Sequence, residues 1–409
     1  MKKIFYILIL LPVFTYAQYT GTGSVTQGLA TTTVSNIYTC PGGRIPGIGS
    51  ITATNATTWT VPADVNFSNT SFPFASNLYN SCIGSTYAND VAAIAALSDS
   101  DILTIDSTGE LITAFIFADN YFEMYINGVP VGKDNVPYTE FNSNIIRFRV
   151  NRPFTIAMLL VDWEEHLGVG CEISNGFQYH IGDGGMVAVF KDSTNNIIET
   201  TGSNWKAQTF YTSPIIDLTC PTENGSLRLT NTCTTQDSNN GTSYYGLHWS
   251  KPVNWMDNTF NDSTFPSATT YSNATVGVNN KPAFTNFTNI FDNPAHDAEF
   301  IWSTNLILDN EVIVRHTVAS TTSVFEIENI NKSIHIFPNP ASNEFQIVID
   351  SSIKRNEIKN IGIFNSIGEM VFETSKYSDI IYLDNFSKGI YVVKFTIADK
   401  EIIKKLVIQ

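Results

Sequence analysis

The sequence predicts an all-β protein, a β-sandwich body followed by a small second β-sandwich at the C-terminus. Three observations carry that prediction. Helical periodicity is scarce, and the best run at helical spacing is the short stretch Asp90–Leu97, DVAAIAAL. Elsewhere, brief apolar or alternating runs are separated by clusters of Asn, Gly, Pro and Ser, the pattern of a sandwich or barrel. Charged residues make up only 15% of the chain against 43% hydrophobic, where about a quarter is usual. Asn, Thr and Ser take their place on the surface, which suits extracellular β-proteins and disfavours a coiled coil.

The elements follow in chain order. Lys2 and Lys3 precede an apolar run from Ile4 to Phe14, and Thr15-Tyr16-Ala17 offers small residues at a cleavage site. Residues 1–17 therefore read as a signal peptide. The run is too short for a membrane span of about 20 apolar residues. No Cys follows the cleavage site, which disfavours a lipid anchor there, and no later run is long enough to span a bilayer. Residues 18–100 are polar and turn-rich, a lead-in expected to pack on the body. Strands are expected at Leu111–Ala118, Tyr121–Ile126, Ile145–Val150, Phe154–Val161, Met186–Phe190 and Ile197–Thr200. Asn127-Gly128 marks a hairpin, because both residues tolerate positive φ. Residues 235–295 read as a long Asn/Thr-rich loop. Glu299–Leu308 and Glu311–Val318 are expected to pair around a turn at Asp309-Asn310. Residues 319–333 read as a linker. The tail, 334–409, holds short strands at Glu344–Ile349, Ile358–Asn365, Met370–Thr374, Ile380–Leu383, Gly389–Thr396 and Glu401–Ile408, a spacing that implies a compact Ig-like sandwich.

Charge is unevenly placed. From Gln18 to Lys332 there are 12 Lys and Arg against 29 Asp and Glu, while from Ser333 onward there are 9 against 9. A body so acidic repels a phosphate backbone, so nucleic acid is excluded as a partner and cations are favoured. The five cysteines, Cys40, Cys82, Cys171, Cys220 and Cys233, form no CxxC pair. Exported chains hold disulfides. Cys220 with Cys233 and Cys40 with Cys82 are candidate bridges, which leaves Cys171 over.

The tail motifs FPNPASNEF (Phe337–Phe345), IGIFNSIGEMV (Ile361–Val371), LDNFSKGIYVVKF (Leu383–Phe395) and KKLVIQ (Lys404–Gln409) occur in order over its whole length. Together they resemble the type A C-terminal sorting domain of the type IX secretion system of Bacteroidetes. The resemblance implies contact with that secretion machinery, passage across the outer membrane, and a secreted or surface-attached product.

In the body, IFADNYFEMYINGVPVG (Ile116–Gly132), GDGGMVAVF with IIETTGSNWKAQ, and WSTNLILDNEVIVRHT resemble strands of the galactose-binding-like jelly-roll domains. The likeness spans residues 101–318 with a long insertion, and implies a jelly-roll-like body, ligand loops at one end, a carbohydrate ligand and a structural calcium. It makes Asp119 and Asn120 of the ADN stretch candidate ligand-binding residues.

The densest chemical cluster is VDWEEHLGVGCE, Val161–Glu172. Asp162 and Glu164 alternate at a strand end and so share one face. With Glu165 and Glu172 they are candidate calcium ligands, since calcium takes six to eight oxygens. Paired carboxyls also suit glycosidase chemistry, with Glu164 or Glu165 as acid or base. The plainer alternative is a solvated acidic turn. Trp249 and Trp255 flank a Lys-Pro turn in HWSKPVNW and are candidates to stack on a sugar ring, although aromatics in a β-protein are more often core. No GxSxG elbow, P-loop or HExxH spacing occurs. The sequence thus favours an exported, non-catalytic carbohydrate-binding module, with a polysaccharide hydrolase or an adhesin without small ligand as rivals.

Overall fold

A computed structural model describes residues 19–41, 43–138, 141–296, 298–320, 334–349, 355, 358–397 and 400–409. The stretch expected to be a signal peptide and most of the expected linker lie outside these. The chain divides into two compact units, Met1–Val318 and Ala319–Gln409. Nearly all regular structure among the described residues is strand, 46% against 7% helix, and their sheets do not close into a barrel. No described helix is long and apolar enough to cross a membrane.

Two large sheets face each other across the first unit. The first runs Ser24–Gln27, Tyr245–His248, Lys206–Ile215, Asp309–Val318, Phe154–Val161, Tyr121–Ile126, Val129–Lys133 from edge to edge. The second runs Thr269–Tyr271, Phe300–Trp302, Gly185–Lys191, Glu110–Asp119, Ser143–Val150, Ser76–Asn80, Ser85–Thr86. Phe122, Met124, Ile156, Met158 and Leu160 of the first pack with Ile112, Ala114, Ile116, Val187 and Val189 of the second in one core.

The Phe154–Val161 strand, FTIAMLLV, is buried at every position. Alternation fails there because both faces of its sheet are covered. Ala157, Leu159 and Val161 point away from the main core and meet Phe67, Phe72, Trp249, Trp255 and Phe265 in a second cluster. A strand buried on both faces reads as a continuous apolar run.

The Asn127-Gly128 turn joins Tyr121–Ile126 to Val129–Lys133, with φ of 51° and 84° at its two residues. Asp90–Ala95 is a helix, capped by Asn89 Oδ1 accepting from Ala92 N–H at 2.9 Å.

Three expectations are corrected. The lead-in supplies the strands Ser24–Gln27 and Ser76–Asn80 to the two large sheets. The stretch 235–295 is no open loop: it carries the Tyr245–His248 and Thr269–Tyr271 strands and short helices, and buries Trp255, Phe265, Phe284 and Phe287. It is long because it covers sheet faces that the strands leave apolar. Glu299–Leu308 shortens to Phe300–Trp302, which pairs in the second sheet, and Asp309 and Asn310 already belong to the next strand, in the first sheet. Asn305 Oδ1 accepts from the Ile307 and Leu308 N–H groups at 3.0 and 3.1 Å, so a side-chain-capped turn ends the strand early.

Cys40 is bonded to Cys82 and Cys220 to Cys233, and Cys171 is free and buried.

In the second unit, a three-stranded sheet (Ile334–Phe337, Glu344–Ile349, Ile380–Tyr382) and a four-stranded sheet (Met370–Thr374, Ile358–Phe364, Gly389–Ile397, Lys400–Ile408) share a core of Phe345, Ile361, Ile363, Val393, Phe395 and Leu406. The Pro338–Ala341 segment lies along the last strand. Asn339 Oδ1 accepts from Val407 N–H at 2.9 Å, its Nδ2 donates to the Lys405 carbonyl at 2.7 Å, and Ala341 N–H donates to the Val407 carbonyl at 2.8 Å. Between prolines that lack an N–H, the Asn339 amide serves as a stand-in peptide group.

Candidate functional site

Strand register brings several acidic residues to one end of the body. Asp119 ends the Glu110–Asp119 strand opposite Gly185, where the neighbouring strand begins. Val161 ends its strand opposite Tyr121 and Glu311. Asp162 continues just beyond, its N–H donating to the Asn310 carbonyl at 2.9 Å. Trp163 turns into the core, with Nε1 donating to the Gly47 carbonyl at 2.9 Å, so Asp162 and Glu164 flank a fixed ring. Asp119, Asp162 and Glu164 are only 4%, 2% and 5% exposed.

The outer part of the site comes from segments remote in sequence. A hairpin of Glu172–Ser174 and Phe177–His180 places Glu172 opposite His180. The Tyr138 hydroxyl lies 3.2 Å from both Glu164 Oε2 and Glu172 Oε2, which puts those oxygens no more than twice that distance apart. Arg44 donates to Glu172, to the Tyr138 hydroxyl at 3.0 Å and to the Ile173 carbonyl at 2.6 Å. Gly182 passes against Glu164: a Cβ there would stand 1.8 Å from Oε1. Asp183, in the same glycine-rich turn, and Lys281 are half-buried.

The electrostatics are those of crowded carboxyls. Burial, then the proximity of Asp183 and Glu164, holds Asp119 well above the usual carboxylate range. Burial, then Asp119 and Asp183, does the same for Asp162, and burial, then Asp162 and Glu172, for Glu164. Asp183 is pushed up to about 6 by burial and Glu172, against the pull of Lys281 and His180. One oxygen of Asp162, Oδ1, is buried without a hydrogen-bond partner, and so is Asn310 Oδ1.

The candidate residues divide accordingly. Asp119, Asp162, Glu164 and Glu172 come together. Glu165 sits at the rim of this set: its carboxylate accepts from Ile173 N–H at 3.1 Å and lies 3.9 Å from the Arg44 nitrogen that also holds Glu172. The four residues expected to hold calcium are spread between the buried end and its rim, and no three His, Cys, Asp or Glu among the described residues are grouped as a metal site. Asn120 is engaged in structure, its Oδ1 accepting from Trp163 N–H at 2.6 Å and its Nδ2 donating to Asp119 at 2.8 Å.

Trp249 and Trp255 are corrected as stacking platforms, since they are 6% and 5% exposed. The Arg228 guanidinium lies over the Trp249 ring at 4.5 Å, the Trp249 Nε1 donates to Glu223 at 3.0 Å, and Tyr125 meets Trp255 edge to face at 5.2 Å. Their burial seals the outer face of the first sheet. Sequence reading missed Arg44, Tyr138, Asp183 and Lys281. Only Asp183 carried a local signal, the surrounding Gly-rich turn.

Fold and site together define a two-unit β-sandwich protein with a carboxylate-lined end on its larger unit. Residues 335–409 match the family of the secretion system C-terminal sorting domain. That tail marks the chain as a cargo of the type IX secretion system, exported to the cell surface or released. No curated protein matches the chain. Two solved structures align weakly. Faecalibacterium prausnitzii β-glucuronidase has 9% identity and a TM-score of 0.17, covering 98% of this chain and 47% of that one. Dimeric latent PorU from Porphyromonas gingivalis has 11% identity and a TM-score of 0.14, covering 95% and 34%. The chain thus spans less than half of either, and likeness at this level carries no argument about the body. The galactose-binding-like resemblance finds no confirmation among these matches.

Proposed function

We propose that the body is a non-catalytic carbohydrate-binding module, delivered to the cell exterior by the sorting tail, with its ligand taken at the carboxylate end of the sandwich. The observation that supports this reading is the hydrogen-bonded set of Tyr138, Glu164, Glu172 and Arg44 at that end, with buried Asp119 and Asp162 beneath. A few fixed polar groups at the mouth of a sandwich orient a small polar ligand. Planar carboxylate and guanidinium groups suit adjacent hydroxyls, and charged partners make the stronger hydrogen bonds. The test is a glycan array probed with the full chain. One or more glycans should be retained, and Tyr138→Phe with Glu172→Gln should lose them. Retention unchanged in that variant would remove the site from the reading.

A second reading, a polysaccharide hydrolase, is favoured by one observation. Glu164 is buried and held well above the usual carboxylate range by that burial and by Asp162 and Glu172, while the more open Glu172 shares the same tyrosine hydroxyl. A retaining pair sits about 5–5.5 Å apart, within the separation that the shared hydroxyl allows. Polysaccharide turnover abolished by Glu164→Gln would establish this reading over the first.

A further inference from the structure

We propose that the body carries a second ligand site, a cleft at the edge of the second sheet, and that it takes a uronic acid sugar whose carboxylate Arg147 receives. This site does not depend on what binds at the carboxylate end. Arg147 stands opposite Thr113 on the Glu110–Asp119 strand. Asp119 lies six residues further along that strand, about 20 Å away at about 3.3 Å per residue.

The cleft has a topological cause. Ser76–Asn80 and Ile102–Thr104 both pair with the Ser143–Val150 strand on the edge away from Glu110–Asp119. The pairing of the first stops at Ser76 opposite Ile145, and that of the second starts at Ile102 opposite Arg147. Ile146 pairs with neither. A cleft of about 370 Å³ opens at this gap, with Ile145, Ile146, Val131, Ser76, Phe74 and Arg147 on its walls. That volume is at the small end of ligand pockets, about 300–1,000 Å³.

Three observations point to the ligand. The first is an unanswered guanidinium. Arg147 is half-buried, its Nε is buried without a hydrogen-bond partner, and it has no ion pair among the described residues. Asp101, which also lines the cleft, turns its Oδ2 back to the Ser98 N–H and hydroxyl at 2.6 and 2.9 Å. A guanidinium has donors and no acceptor, and its planar fork matches a carboxylate. The second observation is local charge. Arg149 shares the face of Arg147 by strand alternation, and Lys191 stands opposite Thr113 from the other side. Neither has an ion pair among the described residues. Between Gln18 and Lys332, 12 Lys and Arg face 29 Asp and Glu, so three cations left unpaired on one sheet face make a locally positive place that favours an anion. The third is an aromatic platform. Phe74 lines the cleft at 50% exposure. Its ring is held in place: Lys133 Nζ sits 4.4 Å from the ring centroid while donating to the Asn66, Phe67 and Asn69 carbonyls, and the Phe67 ring meets it at 5.3 Å. A fixed aromatic wall beside a guanidinium supports the apolar face of a sugar ring while the cation holds its carboxylate.

The experiment is calorimetric titration of the full chain with glucuronate, galacturonate and mannuronate trisaccharides, each beside its methyl ester, which removes the charge and keeps the ring. At least one acid should bind, at least about tenfold more tightly than its ester, as loss of a hydrogen bond between charged groups implies. The difference should shrink as salt rises. Arg147→Met should abolish the preference for the acid, and Arg147→Lys should keep part of it. Phe74→Ala, at an exposed position, should weaken acid and ester alike, and it reads the site if the Arg147 variants do not fold. Tyr138→Phe with Glu172→Gln should leave uronate binding unchanged, which separates failure here from failure at the carboxylate end. Absence of binding by all three acids, equal affinity of acid and ester, or full binding by Arg147→Met would overturn the inference. Loss of uronate binding in the Tyr138→Phe, Glu172→Gln variant would also overturn it, by moving the sugar to the carboxylate end.

Discussion

Glu164 and Gly182 show how tightly single residues are fixed at the carboxylate end. Glu164 is buried and held well above the carboxylate range by burial, Asp162 and Glu172. In Glu164→Gln the ionisation that a buried site resists is removed while shape is kept. The melting temperature at pH 8 should therefore rise, and a fall would show that a charged Glu164 is needed for folding. Gly182→Ala acts oppositely. Its Cβ would sit 1.8 Å from Glu164 Oε1, so the carboxylate must leave its place beside Tyr138. Overpacking of this kind costs about 1–3 kcal/mol. Chemical denaturation of the two variants reads both effects, and an unchanged Gly182→Ala midpoint would mean that Glu164 moves freely.

Among the elements, the closing strand of the tail depends most visibly on a short motif. The Lys400–Ile408 strand pairs on one side with Gly389–Ile397 and on the other meets Asn339 and Ala341. Unpaired strand edges invite pairing with other chains, and here one side-chain amide covers part of the edge. Asn339→Ala leaves the Val407 N–H and the Lys405 carbonyl to water, a loss of about 0.5–1.5 kcal/mol for each net hydrogen bond. Amide exchange at Val407 should quicken while exchange at Val393, in the core of the tail, keeps its rate. Asn339→Asp keeps the acceptor for Val407 but turns a carboxylate oxygen toward the Lys405 carbonyl, and should protect less well than Asn. Equal exchange in all three proteins would mean that the backbone bond from Ala341 suffices to hold the edge.

For the whole molecule, the buried acids set the pH dependence of stability. Burial pushes Asp134 up to about 7 and Asp309 up to about 6, and Asp183 stands at about 6 through burial and Glu172. Each keeps its proton in the folded chain at a pH where the unfolded chain has lost it. The stability they contribute is fully present below the unfolded carboxylate value of about 4 and is lost as pH rises through about 6 and then about 7. Asp217 works the other way. Hydrogen bonds from Thr219 hold it low, so its contribution is present near neutrality and lost as pH falls. The melting temperature of the first unit should therefore be higher near pH 5 than at pH 8 at constant ionic strength. Asp183→Asn with Asp134→Asn should flatten the slope. A melting temperature rising steadily from pH 5 to pH 8 would contradict the burial that these residues show.

The sequence alone determined the fold class, the Asn127-Gly128 hairpin, most of the long strands, and the route of export, because each is written in neighbouring residues. Period-two or continuous apolar runs, a turn dipeptide and the ordered tail motifs need no knowledge of distant contacts. The acidic cluster around Asp162 and Glu164 was legible for the same reason. What those carboxyls face was decided by tertiary structure. Arg44, Tyr138, Asp183 and Lys281 come from separate loops, and no local pattern links them. The tertiary structure also decided the fate of Trp249 and Trp255. The same aromatic pair in a polar stretch would stack on a sugar if its sheet were bare, but here it covers that sheet. Glu165 was set at the rim for the same kind of reason: one residue beyond Glu164 it turns to the Ile173 amide and Arg44, and only the path of the hairpin beside it fixes which of two adjacent glutamates is the buried one.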